Sequence, residues 1–357
     1  MLALLMFASV IGLALIGCAK PEAPTPAPAP APAPTPAKVF TLKFAEYLPE
    51  ASLSVKVGDI PFVEACEKRS GGRLKIEFYP GETLVKSSGM LEAGMTGVAD
   101  IVACAPGYFP DKLPMNTIWE LPMLGYSNRT EGVKVAEQVQ EKYLDIDLKA
   151  VNMHYLGAHQ CGVYMIFSTK KPLKSVDDFK GMLVRSYGPT QSVMMEMLGA
   201  TPVPVKFGEI YEALQKGTCD ATMHDVTSIL QYKWGELADP GYVLESPGGG
   251  LGSANILYLI NGDVWNSLPT DLQQILAEEG ENRTWNQVNA YNDWEGGQRT
   301  KIADLGITFS TADEAGIAKL KEVAKVVQHN WAVKMDEKGL PGTEFMEEFT
   351  KIAAAIK

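Results

Sequence analysis

An arginine at position 185 is the side chain in this sequence best suited to bind an anion. Arg185 lies near the end of the apolar segment Met182–Tyr187, which Gly188-Pro189 interrupts. Ligands of open α/β sheets bind beyond the carboxyl ends of strands, and a guanidinium offers a planar fork of donors that matches a carboxylate. We therefore expect Arg185 to bind the acid group of a small molecule. The alternative is a side chain that extends from a strand end to solvent or to a nearby acid.

Three further polar or aromatic side chains stand close to predicted strand ends. Tyr187 comes two residues after Arg185 and so lies on the same face of its strand. Tyr47 follows the first predicted strand of the chain, and His224 follows a strand that ends at Met223. An imidazole can donate a hydrogen bond to a carboxylate or hydroxyl and can titrate near neutral pH. An exposed loop position is the alternative for His224.

The elements that must position these residues form a series of strand, helix, strand, helix and strand. They are Met182–Tyr187, Thr190–Leu198, Val203–Val205, Phe207–Lys216 and Cys219–Met223. Glycines at 199 and 217 suit the two helix ends. An earlier stretch repeats part of this plan, because residues 71–81 resemble 180–189 and residues 91–102 resemble 211–222. Unless this likeness is chance, two copies of one βαβ plan imply two similar α/β lobes.

The same series carries the motifs of a known family. The matching residues are Asp178-Phe-Lys-Gly181, Arg185, Leu198-Gly-Ala-Thr-Pro-Val-Pro204, Phe207-Gly-Glu-Ile-Tyr-Glu-Ala-Leu-Gln215 and Gly217-Thr-Cys-Asp220. In this order they resemble the solute receptors of tripartite ATP-independent periplasmic (TRAP) transporters, the DctP-like extracytoplasmic solute-binding proteins. The resemblance extends from about Phe40 to the C-terminus. It implies an α/β, two-lobed fold of the periplasmic-binding-protein type, with a hinge and a long lobe-spanning helix. It also implies a receptor that hands a small organic acid to a membrane permease driven by an ion gradient.

The resemblance implies roles for individual residues as well. Arg185 stands where the family binds the substrate carboxylate, Phe207 where an aromatic ring packs on the ligand, and Tyr108 where some relatives contact it. For Phe207, packing at a helix start is the alternative. His224 occupies a position at which many relatives carry Asn. Met165 stands where a second Arg is frequent, and this difference favours a monocarboxylate with an apolar or aromatic body.

Lobe boundaries follow from the order of the predicted elements. We expect lobe 1 to comprise residues 39–160 and 251–290, and lobe 2 to comprise residues 161–250 and 291–357. The segment Gly157–Lys171 and the glycine-rich run Gly248–Gly252 are interpreted as crossovers between the lobes. The helical stretch Thr270–Leu305 is long enough to lie along both.

The first 38 residues predict export and attachment to a membrane. Leu2–Gly17 is an apolar run that is too short for a span of roughly 20 residues, so residues 1–17 are predicted to be a signal peptide. It ends in Leu15-Ile-Gly-Cys18, which resembles the cleavage site of bacterial lipoproteins and implies that Cys18 becomes the lipidated N-terminus. No Lys or Arg precedes the apolar run, so either the true start codon lies upstream or the basic segment of the signal peptide is atypical.

Residues 18–38 are predicted to form a Pro/Ala-rich tether behind the lipidated cysteine. Polyproline II geometry gives the proline-rich part a length of roughly 50 Å. The protein is therefore expected outside the cytoplasm, in the periplasm or on the outer face of the cytoplasmic membrane, and anchored by lipid.

Composition and motifs oppose several other classes of protein. The net charge of −11 and the pI of about 5 argue against a nucleic-acid partner. The sequence contains no nucleophile elbow, metalloprotease motif or phosphate-binding loop, so we expect no enzyme activity, no cofactor and no metal site. The receptor of an ATP-driven (ABC) importer, a chemosensory receptor and a secreted enzyme on the same fold are the alternatives.

Four of the five cysteines belong to the predicted folded body. They are Cys66, Cys104, Cys161 and Cys219. An even number in an exported chain allows one or two disulfides, whose pairing the spacing does not specify. Buried free thiols are the alternative.

Overall fold

The computed structural model describes residues 38–238, 240–246 and 250–356. Cys18, the predicted signal peptide, all but the last residue of the predicted tether, and two glycines of the run Gly248–Gly252 lie outside the described residues. The described strands are β1 (Phe40–Ala45), β2 (Leu74–Tyr79), β3 (Ile101–Cys104), β4 (Met153–Gln160), β5 (Met165–Ser168), β6 (Leu183–Ser186), β7 (Thr201–Pro204), β8 (Ala221–His224), β9 (Tyr242–Glu245), β10 (Asn255–Asn261) and β11 (Thr308–Thr311).

Helices cover the strands and connect them. The described α-helices are α1 (Ile60–Arg69), α2 (Met90–Thr96), α3 (Arg129–Val139), α4 (Asp145–Ala150), α5 (Pro189–Met197), α6 (Ile210–Lys216), α7 (Thr227–Gln231), α8 (Gly262–Ser267), α9 (Thr270–Asp304), α10 (Glu314–Glu337) and α11 (Gly342–Ala355). Short 3₁₀ or π segments lie at Val55–Asp59, Ser87–Gly89, Pro106–Tyr108, Met115–Glu120, Gln140–Leu144, Val176–Phe179, Phe207–Glu209 and Trp234–Leu237.

The strands form two sheets, here called the first and the second sheet. The strand order is β2-β1-β3-β10-β4 in the first sheet and β11-β9-β5-β8-β6-β7 in the second. β3 and β10 are buried along their whole length, as expected of central strands with both faces covered. This architecture confirms the predicted fold class.

Each sheet contains one copy of the βαβ plan that the sequence repeat predicts. β1 is parallel to β2 and β3, and β6 is parallel to β7 and β8. The later half of the repeat matches, because 91–102 contains most of α2 and the start of β3, while 211–222 contains most of α6 and the start of β8. The earlier half is displaced: 71–81 contains the outer strand β2, whereas 180–189 contains the inner strand β6. The structural equivalents are therefore β1 with β6 and β2 with β7.

The first connection between the sheets is shorter than the sequence predicts. Instead of a crossover over Gly157–Lys171, β4 continues to Gln160 and β5 begins at Met165. Gly157 is not a loop residue; it lies in β4 beside an irregularity in the pairing with β10. A Cβ built on Gly157 would lie 2.6 Å from the backbone oxygen of Gly280 in α9, so glycine here permits close contact of strand and helix.

The predicted long helix is present as α9, with 35 residues and a length of roughly 50 Å at about 1.5 Å per residue. In its first half, the Thr284 hydroxyl accepts a hydrogen bond from the Ala158 N–H of β4 at 3.0 Å. In its second half, Arg299 forms an ion pair with Glu245 of β9 at 2.5 Å. The helix therefore contacts strands of both sheets, as a lobe-spanning helix must.

The last helix contacts the early part of the chain. The Phe345 ring of α11 stacks on Tyr143 with a centroid distance of 4.4 Å, and Phe349 contacts the Trp119 ring at 5.1 Å. Tyr143 and Trp119 belong to predicted lobe 1, whereas α11 belongs to predicted lobe 2. The predicted lobe boundaries, including the assignment of residues 291–357 to lobe 2, remain a prediction.

The cysteines of the folded body are free thiols. Cys66, Cys104, Cys161 and Cys219 are buried, and none of these described residues forms a disulfide. Within the part of the chain that the structure describes, every helix falls short of the length or apolar character that a membrane span requires.

Candidate functional site

A cavity is lined by elements of both sheets; its empty space, including solvent at its mouth, is about 490 Å³. All six ligand-binding residues predicted from the sequence lie on its wall: Tyr47, Tyr108, Arg185, Tyr187, Phe207 and His224. They lie at or just beyond the carboxyl ends of β1, β3, β6, β7 and β8. These strands are parallel within each sheet, which is why residues so far apart in sequence reach one place.

Arg185 is 2% exposed and directs its guanidinium group to the cavity wall. Its Nε donates a hydrogen bond to the Val205 carbonyl at 2.9 Å, and Nη2 donates to the Tyr108 hydroxyl at 3.4 Å. Its guanidinium carbon lies 5.0 Å from the centre of the Tyr187 ring. Among the described residues, no Asp or Glu forms an ion pair with it, so its positive charge is available to an anion.

Glu120 is the carboxyl group next to this arginine that could have neutralised it. Burial raises the pKa of Glu120 to about 8, although Arg185 lowers it. Neither side-chain oxygen has a hydrogen-bond partner among the described residues. A Cβ built on Gly188 would lie 2.5 Å from Glu120 Oε2, so glycine leaves room for the carboxyl group there. At neutral pH Glu120 is therefore mostly protonated and does not neutralise Arg185.

Tyr108 connects the two sides of the cavity. Its hydroxyl accepts the backbone N–H of Phe207 at 2.9 Å, in addition to the bond from Arg185. Its ring contacts Tyr187 with a centroid distance of 5.6 Å. Tyr108 follows a strand of the first sheet, whereas the other three residues follow or belong to strands of the second. These bonds hold the two sides together around the cavity.

Tyr47 and Phe207 form another contact across the cavity, with ring centroids 5.9 Å apart. The backbone around Tyr47 is fixed by Glu46, whose Oε1 accepts the Leu48 N–H at 2.8 Å and whose Oε2 accepts the Tyr258 hydroxyl at 2.7 Å. Glu46 therefore acts as a support for the neighbouring tyrosine. Aromatic side chains suit a wall that contacts an apolar or aromatic ligand.

His224 does not titrate near neutral pH, contrary to what the sequence suggests. Its pKa is lowered to about 4, mainly by burial; Asp225 opposes this shift, and Arg185 and Arg129 add to it. The Asp225 N–H donates a hydrogen bond to Nδ1 at 3.0 Å, so the neutral ring carries its proton on Nε2. His224 is therefore a neutral donor, and the expectation that it could titrate near neutral pH is wrong.

Asp225 is the anionic group on the cavity wall. Burial alone would raise its pKa, but Arg129, His224 and the Thr227 hydroxyl outweigh burial and hold that pKa well below its usual range. Arg129 Nη2 lies 3.4 Å from Asp225 Oδ2, so the aspartate is ionised and paired on the side away from the cavity.

The second arginine that the family often carries has no counterpart on the cavity wall. Met165, which stands at that position in the sequence, is buried but does not line the cavity. Arg129 does not line the cavity either, and it pairs with Glu295 at 2.6 Å as well as with Asp225. Among the described residues that line the cavity, Arg185 is the one side chain with a positive charge.

Several lining residues were not predicted from the sequence. They include His159, Tyr164, Asp225, Ser228, Tyr232 and Tyr291. Asp225 could have been found from its place next to His224. Tyr232 and Tyr291 have no such signal, because they follow α7 or lie in α9 and reach the cavity through helix packing. Among the described residues, no group of three or more His, Cys, Asp or Glu side chains is arranged to hold a metal ion.

Comparison with known sequences identifies the family. The profile of the bacterial extracellular solute-binding proteins, family 7 (DctP), matches residues 44–334. The C4-dicarboxylate-binding periplasmic protein DctP of Rhodobacter capsulatus is 29% identical over 248 residues, which are 68% of this chain and 72% of that protein.

Solved structures have the same fold. A TRAP solute-binding protein of an unidentified marine microbe, specific for aromatic acids and bound to 3-hydroxybenzoate, superposes with a TM-score of 0.80 at 24% identity, over 90% of this chain and 99% of that one. A TRAP periplasmic solute-binding protein of Bordetella bronchiseptica with bound mandelate gives a TM-score of 0.80 at 23% identity, over 89% and 100%.

The profile match covers most of the chain, and the resemblance read from residues 178–220 is thereby confirmed. The protein belongs to the DctP family of bacterial extracellular solute-binding proteins, the receptors of TRAP transporters.

Proposed function

We propose that this receptor captures a small organic monocarboxylate with an apolar or aromatic body and delivers it to the membrane permease of a TRAP transporter. One observation carries the proposal: Arg185 lies buried on the wall of an aromatic cavity without an acidic partner among the described residues. A buried charge without a partner is costly. A carboxylate bound at this place would remove that cost.

The charges around the cavity support one carboxylate rather than two. Arg185 supplies the positive charge among the described lining residues, and His224 is neutral at neutral pH. Asp225 is ionised and would repel a second carboxylate that came near it. The rings of Tyr47, Tyr187 and Phe207 favour an apolar or aromatic body next to the single carboxylate.

The relatives support the same class of ligand. Two proteins with this fold bind 3-hydroxybenzoate and mandelate, each an aromatic ring with one carboxylate. Their sequence identity to this chain is low, so the ligand class here depends on the cavity residues.

Binding to Arg185 is tested with the variant Arg185→Met, which keeps an unbranched side chain, although a shorter one, and removes the guanidinium group and its charge. A panel of benzoate, mandelate, phenylacetate and aliphatic monocarboxylates is measured by thermal shift and by calorimetry. We expect at least one acid to bind the wild type, and its affinity to fall more than about 100-fold in the variant, because an unpaired buried charge costs about 3–5 kcal/mol.

The matched control is Arg73→Met, which removes a guanidinium group that pairs with Asp271 away from the cavity. It should bind the same acid with unchanged affinity. Equal binding by wild type and Arg185→Met would refute the role of this arginine. A wild type that binds none of the acids would refute the ligand class.

We also propose that the protein binds its ligand without converting it. Ser228, His224 and Asp225 are neighbours, but the Ser228 hydroxyl and the Asp225 carboxylate both lie on the Nδ1 side of His224, at 2.7 and 3.8 Å. A hydrolytic triad needs the serine and the carboxylate on opposite ring nitrogens. With its pKa near 4, His224 is also a weak general base.

Finally, we propose that Cys18 carries a lipid that anchors the receptor outside the cytoplasm, with the permease as its partner in the same membrane. The apolar run before Cys18 and the proline-rich segment behind it support this arrangement. Expression of the full chain in a bacterial host should place it in the membrane fraction, and Cys18→Ser should lose the lipid by mass spectrometry. A wild-type protein without a lipid at Cys18 would contradict the anchor.

A further inference from the structure

His159, near the end of β4, is a polar side chain of the cavity wall that the proposed carboxylate site does not use. It is 5% exposed, and its ring lies 5.1 Å from the Tyr291 ring. Nδ1 lies 3.1 Å from the hydroxyl oxygen of Ser54. Nε2, on the other side of the ring, is buried and has no hydrogen-bond partner among the described residues. We expect a bound molecule to supply the missing partner, because a buried donor or acceptor without a hydrogen bond costs free energy.

The neighbours of Ser54 determine which nitrogen of His159 carries the proton. Gln287 Nε2 donates to the Ser54 hydroxyl oxygen, so this oxygen already serves as an acceptor. The Ser54 hydroxyl can then donate its own proton, and among the described residues Nδ1 of His159 is the acceptor within hydrogen-bond distance. An imidazole that accepts at Nδ1 carries its proton on Nε2. Nε2 is therefore a donor.

The ring is neutral at neutral pH. The pKa of His159 is lowered to about 3, mainly by burial and also by the positive charges of Arg129 and Arg283. A neutral donor does not select for an anion. It selects for an uncharged oxygen, such as a hydroxyl or a carbonyl group.

His159 and Arg185 belong to different sheets, because β4 lies in the first sheet and β6 in the second. Both line the same cavity. A ligand that reaches both side chains is held at two points, one on each side.

We propose that His159 is a specificity-determining residue that donates a hydrogen bond from Nε2 to a hydroxyl or carbonyl oxygen of the ligand, remote from the carboxylate on Arg185. This inference rests on the proposed function. It narrows the ligand class to oxygenated monocarboxylates, such as hydroxylated or oxo-substituted aromatic acids. An acid without this oxygen would leave the Nε2 proton unpaired, and sites with such a group discriminate strongly against the analogue that lacks the acceptor.

The test compares acids in matched pairs. Calorimetry measures the affinity of benzoate, 3-hydroxybenzoate and 4-hydroxybenzoate, and of phenylacetate, mandelate and 3- and 4-hydroxyphenylacetate. In the wild type, at least one oxygenated acid should bind about tenfold or more tightly than its parent acid. In His159→Phe, which keeps a ring beside Tyr291 and removes the donor, this preference should disappear while the parent acid still binds.

The matched control is His154→Phe. His154 lies on the same strand but stacks on Trp265, with ring centroids 3.9 Å apart, and does not line the cavity. This variant should keep the preference of the wild type. His159→Gln, whose amide can donate a hydrogen bond, should restore part of the preference and guards against a fold defect specific to the phenylalanine variant.

The outcomes separate this inference from the proposed function. If no oxygenated acid is preferred by the wild type, or if the preference survives in His159→Phe, the role of His159 is wrong although the carboxylate site stands. If no acid binds, or if Arg185→Met binds as the wild type does, the proposed function fails and this inference fails with it. Nitrogen NMR of the ligand-free protein should show the His159 proton on Nε2; a proton on Nδ1 would overturn the inference directly.

Discussion

At the scale of single residues, the balance between Arg185 and Glu120 decides whether the cavity can accept an acid. The glutamate is buried near the arginine, and the two could have formed an internal ion pair. Burial instead raises the pKa of Glu120 to about 8, because a carboxylate without hydrogen-bond donors is poorly stabilised in a low-dielectric interior. The guanidinium group thus has no ionised partner in Glu120 as long as that residue keeps its proton.

This balance predicts a pH dependence of stability. The pKa of Glu120 is about 8 in the folded protein, against 4.5 for the ordinary side chain. Between these values the folded protein retains a proton that the unfolded chain releases, so Glu120 lowers the free energy of unfolding as pH rises from about 4.5 to 8. In Glu120→Gln this loss is absent. The melting temperature of the variant relative to wild type should therefore rise across that range and level off above it.

The control for this experiment is Glu92→Gln, which removes an exposed carboxyl group that pairs with Lys112. Its melting temperature should follow that of the wild type at each pH. Acid binding gives a second measure, because an ionised Glu120 would compete for Arg185 and weaken binding above pH 8 in the wild type. A constant difference in melting temperature between Glu120→Gln and wild type from pH 5 to 9 would show that Glu120 titrates normally.

At the scale of secondary-structure elements, the ends of parallel strands explain why the binding residues were predictable. Tyr47, Arg185 and His224 lie at the carboxyl ends of β1, β6 and β8, and strand direction alone places such ends at one edge of each sheet. Predictions were less accurate where an element carried no periodic pattern. β4 contains Gly157 and ends in polar residues, so its last part resembles a loop in sequence. It is nevertheless a strand, because β10 and α9 cover it.

The sequence repeat also shows that local sequence predicts some elements better than others. Helix α2 and strand β3 correspond to α6 and β8, and a glycine with positive φ ends each helix, at Gly97 and Gly217. The likeness between 71–81 and 180–189, by contrast, pairs an outer strand with an inner one. Both segments are short strands followed by a turn, and local sequence does not encode the position of a strand within its sheet.

At the scale of the whole molecule, the two sides of the cavity are in contact with each other. Tyr108 supplies much of that contact, since its hydroxyl accepts hydrogen bonds from the Phe207 N–H and from Arg185. Receptors of this architecture close on their ligands by hinge motion. Such a motion would pass through the connections between the two sheets. These are the segment 161–164, the chain between β9 and β10, and α9.

Tyr108→Phe should make closure more difficult. Without the hydroxyl, two buried N–H donors lose an acceptor, which costs about 1–3 kcal/mol and corresponds to about tenfold or more in the closing equilibrium. Small-angle X-ray scattering should show that the variant needs correspondingly more of the bound acid to reach the compact form. Tyr79→Phe is the control, because it removes a hydroxyl that bonds Glu77 at the surface. Equal compaction of wild type and Tyr108→Phe at the same acid concentration would refute the role of this hydroxyl.

The sequence alone determined the family, the fold class and the set of strand ends that surround the cavity. These depend on local signals: turn glycines, strand length, and a guanidinium group placed at a strand exit. Only the tertiary structure decided the charge state of the site and the partners of its polar groups. Whether Glu120 is protonated, whether His224 is neutral, and on which side His159 carries a free donor all depend on burial and on neighbours distant in the chain, such as Ser54 and Gln287. Desolvation and hydrogen bonding act through space, so no local pattern in the sequence records them.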